Sequence, residues 1–341
     1  MRDKEYRYYF IIIVFLLFLA AIVFVLSLFS GSAAIEKKEI VSLLLERLKG
    51  NLKDTPEATV IFNLRIPRIL LGFLVGGALS LAGVILQGLF RNPLVEPFTL
   101  GVSGGAALLV SVVLALGLKS PLGLPVFAFL GALGAILLVY LIAKTFMSLK
   151  TTSLLLVGVM FSFISSSLIM LVLSLSRAEE AHGILFWIMG SLEENEPFFV
   201  ILLFVSILLI SLFAFFKAWE LNALSLGEEE ASHLGVNVPK AKKIFFLISS
   251  LLAGLSVAVT GIIGFVGLVV PHILRIRVSG DHRFLMPASF ILGGIFLTLC
   301  DTLARTIMAP IELPVGVITG ITGGFAFIVI LLRRERGTGR C

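Results

Sequence analysis

Residues 244–276 read IFFLISSLLAGLSVAVTGIIGFVGLVVPHILRI, an apolar run of 33 residues whose interpretation decides how often the chain crosses a membrane. At 1.5 Å rise per residue, one continuous helix of this length would measure about 50 Å, well beyond the roughly 30 Å of a hydrocarbon core. Two crossings would each be short. Charge separates the alternatives. Lys240, Lys242 and Lys243 precede the run, and Arg275, Arg277 and Arg283 stand at and beyond its end. Basic residues favour the cytoplasmic side, so both ends belong inside and the run is expected to be a hairpin. Gly261, Gly264 and Gly267 supply a flexible turn region. Short, glycine-interrupted crossings are also where transporters often line a pathway.

The rest of the chain has the same character. Of its 341 residues, 58% are hydrophobic and only 14% charged, with a mean hydropathy of +1.10; soluble domains carry about 25% charged residues. Lipid offers no partner to backbone N–H and C=O groups, so crossing segments must be helices or a closed barrel. These runs are too long and uniformly apolar for alternating barrel strands. The reading is an all-α polytopic membrane protein with ten crossings, near residues 8–30, 66–90, 99–117, 124–147, 153–175, 197–216, 244–260, 263–276, 284–309 and 315–332. With the N-terminus inside, 17 of the 27 basic residues fall in cytoplasmic segments. Seven of the other ten lie between Lys37 and Arg68. An even number of crossings returns the tail bearing Arg333, Arg334, Arg336 and Arg340 to the cytoplasm, so both termini are expected there. Crossings 2–5 and 7–10 then start with opposite orientation, which permits an inverted repeat. Leu79-Ser80-Leu81-Ala82 and Leu255-Ser256-Val257-Ala258 echo each other in such a pair.

No polar stretch is large enough for a soluble domain, and residues 1–341 read as a single transmembrane unit. Its parts are a first span (1–30), an outer loop (31–60), spans 2–6 (61–216), a cytoplasmic loop (217–243), spans 7–10 (244–333) and a tail (334–341). The apolar run from Tyr8 to Phe29 exceeds the h-region of a signal peptide and is expected to be a retained span. Within the outer loop, Ile40, Leu43, Leu44 and Leu48 recur near helical spacing among charges. They fit an amphipathic helix on the outer membrane surface, with a solvated linker as the alternative. The +6 net charge reflects basic loops rather than nucleic-acid binding. Cys300 and Cys341 give no disulfide framework, and His182, His233, His272 and His282 have no metal-ligand spacing. No cofactor is expected.

Charge, glycine and proline carry the specific signals. Arg65-Ile66-Pro67-Arg68 opens the second span at its outer end, and Arg91-Asn92-Pro93-Leu94-Val95-Glu96-Pro97 follows its inner end. Two prolines four apart cannot continue a helix, so residues 91–97 are expected to form an ordered turn. Leu100-Gly101-Val102-Ser103-Gly104-Gly105 then opens the third span with small residues that allow close packing.

These stretches, together with Gln87-Gly88-Leu89-Phe90, Gly264-Phe265-Val266-Gly267-Leu268-Val269-Val270-Pro271-His272-Ile273-Leu274-Arg275 and Glu312-Leu313-Pro314-Val315-Gly316, resemble the FecCD family. That family comprises permease subunits of ABC importers for iron–siderophore complexes, haem and vitamin B12. The resemblance runs in order from about residue 60 to 333. It implies a homodimer in the cytoplasmic membrane with the path between two copies. Two copies of an ATP-binding subunit are implied inside and a substrate-binding protein outside. No GxxxxGK[ST] phosphate loop occurs, so ATP hydrolysis is assigned to a separate chain and no catalytic residue is expected here.

The resemblance also assigns sites. Leu226, Gly227, Glu228, Glu229, Ala231, Leu234 and Gly235 resemble the coupling helix that docks on the ATPase; an ordinary polar loop is the alternative. Arg65, Arg68 and Arg305 correspond to basic docking points for acidic residues of the binding protein. Snorkelling to lipid headgroups competes with that role, and Asp301, four residues before Arg305, can simply pair with it. Lys150, Thr151, Thr152 and Ser153 fall where the family forms its cytoplasmic gate, though Thr152 or Ser153 can equally cap the fifth span. Leu185–Ser191 is apolar but too short to cross, and reads as a re-entrant or interfacial helix in which Trp187 is an anchor. His272 reads as structural. An ion-coupled secondary transporter is the rival class. It would place charges mid-membrane, and Asp301 and Arg305 are the clear candidates.

Overall fold

The computed structural model describes residues 2–33, 35–51, 54–118, 123–146, 151–193, 197–278 and 280–338. Lys150, Arg340 and Cys341 lie outside the described residues. Helix α1 (Arg2–Phe29) is apolar around its circumference and leaves Phe10, Phe15 and Phe18 exposed, as a lipid-facing helix requires. Helix α2 (Lys37–Leu48) is amphipathic as expected, but its buried face packs on protein. Ile40 and Leu43 join Leu28, Ala58, Ile61 and Ile69 in a small core, while Leu48 is exposed.

Helix α3 (Pro56–Thr59) is capped by the Thr55 hydroxyl and continues through a wide π-helical turn (Val60–Arg65) into α4 (Ile66–Phe90). The second apolar helix therefore begins at Pro56, ten residues before the sequence pattern alone places it. Every residue of α4 from Leu74 to Phe90 is buried, so α4 is the hub of the bundle. It closes at Arg91 in the left-handed region (φ 50°). The chain then folds back along α4 to a 3-10 turn (Pro97–Leu100), with Gln87 Nε2 donating to the carbonyls of Val95 (3.4 Å) and Gly267 (3.2 Å).

Helices α5 (Val102–Ala115) and α6 (Gly123–Phe146) meet backbone to backbone at Gly105 and Gly131. Then come α7 (Thr151–Leu175), the short α8 (Ala178–Met189) and α9 (Pro197–Phe216). An elbow of α10 (Ala218–Leu226) and α11 (Glu228–His233) leads to α12 (Val238–Thr260), α13 (Val266–Arg277), α14 (His282–Thr306) and α15 (Val315–Thr338). Among the described residues, seven helices are long and apolar enough to cross a membrane; Val102–Ala115, Val266–Arg275 and Val315–Ile330 are shorter apolar helices. The chain is thus an all-helical, multi-pass membrane protein.

Close approach to α4 fixes the late helices. Gly76 lies against Gly293 of α14 and Gly88 against His282, so α14 runs opposite to α4. Gly83 lies against Gly267 of α13, with backbone in place of side chains at the contact. Small residues permit this packing, which dispersion stabilises where lipid gives no hydrophobic drive. Arg275 and Arg91 border one cavity, so α13 runs in the direction of α4. Helix α12 starts beside Glu228 and ends where the Thr260 carbonyl accepts from Ser191 N (2.8 Å), so it runs the other way. The 244–276 run is accordingly a reversal, not one rod, with residues 261–265 non-helical. Phe265 takes a positive φ of 69° there. The Glu96 carboxylate accepts from its N–H, one of the partners that irregular backbone inside an apolar environment must find.

Candidate functional site

At one end of the bundle the arginines of the second and ninth expected crossings converge. Arg68 sits one turn into α4 and Arg305 near the end of α14, and both reach the carboxylate of Asp301. Arg68 Nε lies 2.9 Å from Asp301 Oδ1, and Arg305 Nε lies 2.9 Å from Oδ2. Asp301 is only 1% exposed and uses both oxygens. Arg68 Nη1 also pairs with Glu312 (2.6 Å) and Glu193 (3.1 Å). Arg305 donates to Ser27 Oγ (2.8 Å) and the Ser30 carbonyl (3.2 Å). Arg65 donates to the carbonyls of Leu28 (3.1 Å) and Ala33. The Ser32 hydroxyl donates to Glu312 (2.7 Å). These contacts tie the loop after α1 to α4 and α14.

The sequence placed Arg65, Arg68 and Arg305 together as outward docking points. They are at one end of the molecule, but their guanidinium groups turn inward and are engaged by the chain itself. Arg65 is 5% and Arg305 2% exposed. For Arg68 and Arg305 the physical reason is the buried Asp301, whose desolvation the two cations offset; Arg65 is held instead by the Leu28 and Ala33 carbonyls. The exposed member of the cluster is Glu193, which sequence reading did not single out. Glu193 and Glu312 are hydrogen-bonded to each other. That bond, then burial, raises the Glu193 pKa against the pull of Arg68. Burial alone would raise Glu312, yet the bonds from Glu193 and Ser32 and the Arg68 charge hold it at about 2.

The opposite end carries the α10–α11 elbow. Gly227 joins the two helices at φ 151°, with the Glu230 carboxylate packed where a Cβ would stand. Glu228, Glu229 and Glu230 crowd the first turn of α11 and are exposed, as are Leu226 and Leu234, while Ala231 is buried. Acidic residues suit the positive end of a helix. Glu228 pairs with Lys242 of α12 at 2.9 Å. Gly235 (φ 84°) ends the elbow, and Asn237 caps α12 by accepting from Lys240 N at 3.1 Å. Asn222 anchors α10 to α14: its Nδ2 donates to Asp281 (2.6 Å) and its Oδ1 accepts from His282 N (2.8 Å). The sequence held no signal for that anchor, because its members are about 60 positions apart.

The expected gate residues Thr151, Thr152 and Ser153 open α7, with Thr152 exposed and Ser153 half-buried. Of the apolar Leu185–Ser191 segment, residues 185–189 form the end of α8, and Gly190 and Ser191 follow it outside the helix. Gly190 and Met189 pack against Ile262 and Gly316, beside the α12–α13 break.

A multi-pass helical bundle with a broken helix against its central one, and a polar elbow at one end, is the architecture of a membrane permease. The FecCD transport family matches residues 18–333. A Bacillus subtilis (strain 168) ABC transporter permease protein, YvrB, is 38% identical over 99% of this chain and 96% of its own. The hemin transport system permease protein HmuU of Yersinia pestis is 39% identical over 81% of this chain and 84% of its own. A solved structure described as an inward-facing conformation of a putative metal-chelate type ABC transporter superposes with a TM-score of 0.81. It is 34% identical, covering 95% of this chain and 99% of that one. The chain belongs to the FecCD transport family and is an ABC importer permease, a transport component rather than an enzyme.

Proposed function

We propose that this chain forms the membrane path of a binding-protein-dependent importer for an iron chelate, haem or cobalamin. A separate ATPase drives it, docking on Leu226–Gly235. The exposed acidic and apolar elbow, at the end opposite the Arg68 cluster, carries this reading: it is the surface a soluble motor can reach. The chain crosses ten times with both termini in the cytoplasm, the three shorter apolar helices completing the set. Two copies enclose the path, each bound to one ATPase subunit. Thr151, Thr152 and Ser153 contribute to the inner gate. Arg65, Arg68 and Arg305 act in docking indirectly, by fixing the outer loops and the Glu193–Glu312 pair that meet the binding protein. Rim charges of this kind steer and register a partner more than they add affinity.

The hemin relative and the metal-chelate neighbour support the substrate range. The rival, an ion-coupled secondary transporter, would use the buried charges as a relay; Asp301 is already closed on two arginines. Reconstitution of the chain with and without its ATPase distinguishes them. Uptake that needs both ATPase and ATP is the expected result. Uptake driven by an ion gradient in the chain alone would overturn the proposal.

A further inference from the structure

At the elbow end lies a cavity of about 1120 Å³, bounded by Gln87 and Arg91 at the close of α4, Ser225 of α10, Arg275 of α13, and Ile330 of α15. It is comparable to or larger than the roughly 300–1,000 Å³ of small-molecule sites. Two cations line it, and no carboxylate does so among the described residues. The contrast with the other end of the molecule is sharp. There, Arg65, Arg68 and Arg305 are held by carbonyls, a hydroxyl or carboxylates. Here, Arg275 Nε and Nη2 are buried and lack a hydrogen-bond partner among the described residues. Leaving buried donors unmade is costly, more so on a charged group, so an arginine kept in this state beside a large cavity is poised for a ligand that supplies the acceptors.

We infer that this cavity is an anion station on the cargo path, resting on the permease reading above. It takes the carboxylate or oxyanion group of a negatively charged metal chelate. Arg275 offers Nε and Nη2, adjacent donors on one guanidinium that match two oxygens of such a group. Arg91, exposed on the left-handed turn, supplies a second positive charge at the rim. Ile273, Ile276 and Val329 give apolar wall for the body of the chelate.

The test is phenylglyoxal modification of arginine in the full-length chain, read at Arg275 by mass spectrometry in phosphatidylcholine vesicles. Ferric dicitrate should protect Arg275, whereas a cationic hydroxamate complex of ferric iron should not. The exposed-turn variant Arg91→Gln should need about tenfold more ferric dicitrate for the same protection, the scale of one lost charge-assisted contact. Protection by phosphatidylglycerol vesicles without any chelate would make the occupant a lipid headgroup and overturn the inference. So would absence of protection by ferric dicitrate, or an Arg275 that never reacts. The labelling requires neither ATPase nor transport. A failure of ATP-driven uptake would therefore sink the permease reading and leave the protection result standing.

Discussion

Single residues carry much of the stability. Asp301 is buried between Arg68 and Arg305. Asp301→Ala leaves two guanidinium groups without their shared anion, and should destabilise by about 3–5 kcal/mol, read as a lowered melting temperature in detergent. Gly83→Val drives a branched side chain into the Gly267 backbone and should cost about 1–3 kcal/mol or more. Gly134→Ala, where a Cβ meets open space, should be neutral or stabilise by up to about 1 kcal/mol; equal effects of the two substitutions would refute the close-contact account. Glu96 is raised above the ordinary value near 4.5 by burial, partly offset by the Phe265 N–H. A carboxyl with a raised folded pKa contributes stability that is complete below the unfolded value and lost as pH rises through the folded one. Glu96→Gln should therefore melt at or above the wild-type temperature at neutral pH, with the gap closing near pH 4. Arg65, Arg68 and Arg305 were legible as a set because charge among apolar runs is conspicuous. Their inward turn was not, because Ser27, Glu193 and Glu312 lie far away in sequence and only folding brings them together.

Among the elements, the helices with strong apolar runs were legible and the shorter ones were legible only by inference. The hairpin in 244–276 followed from lysines and arginines at its two ends, and the structure reverses direction within that run. The extension of α4 back to Pro56 was hidden, since Glu57, Asn63 and Arg65 break the apolar pattern that a π-helical turn then bridges. Helix α2 shows amphipathic spacing, yet nothing in that spacing distinguishes a lipid surface from the Leu28–Ile61–Ile69 core it covers. The elbow was legible from its glycines and glutamates. Its surface predicts a separation of roles. Lys242→Ala removes an exposed pair and should change stability by less than about 1 kcal/mol. Leu226→Asp combined with Leu234→Asp should abolish co-purification of the ATPase while leaving the melting temperature near wild type. Retained co-purification would remove the elbow from the coupling role.

For the whole molecule, sidedness is the property on which transport depends. With Cys341→Ser as background, Ser232→Cys on α11 should react with a membrane-impermeant maleimide only from the cytoplasm. Leu48→Cys on α2, 84% exposed, should react only from outside; the same side for both would disprove the ten-crossing arrangement. Further consequences reside in the severed rod between α12 and α13. A limb of 12 residues is about 18 Å long, and Gly83 offers it a fulcrum near one tip rather than at its middle. A tilt of about ten degrees there sweeps Arg275, about 12 Å along the helix from the Gly267 contact, through about 2 Å. Sub-ångström adjustments at the pivot can thus become displacements of about 2 Å at the opposite mouth.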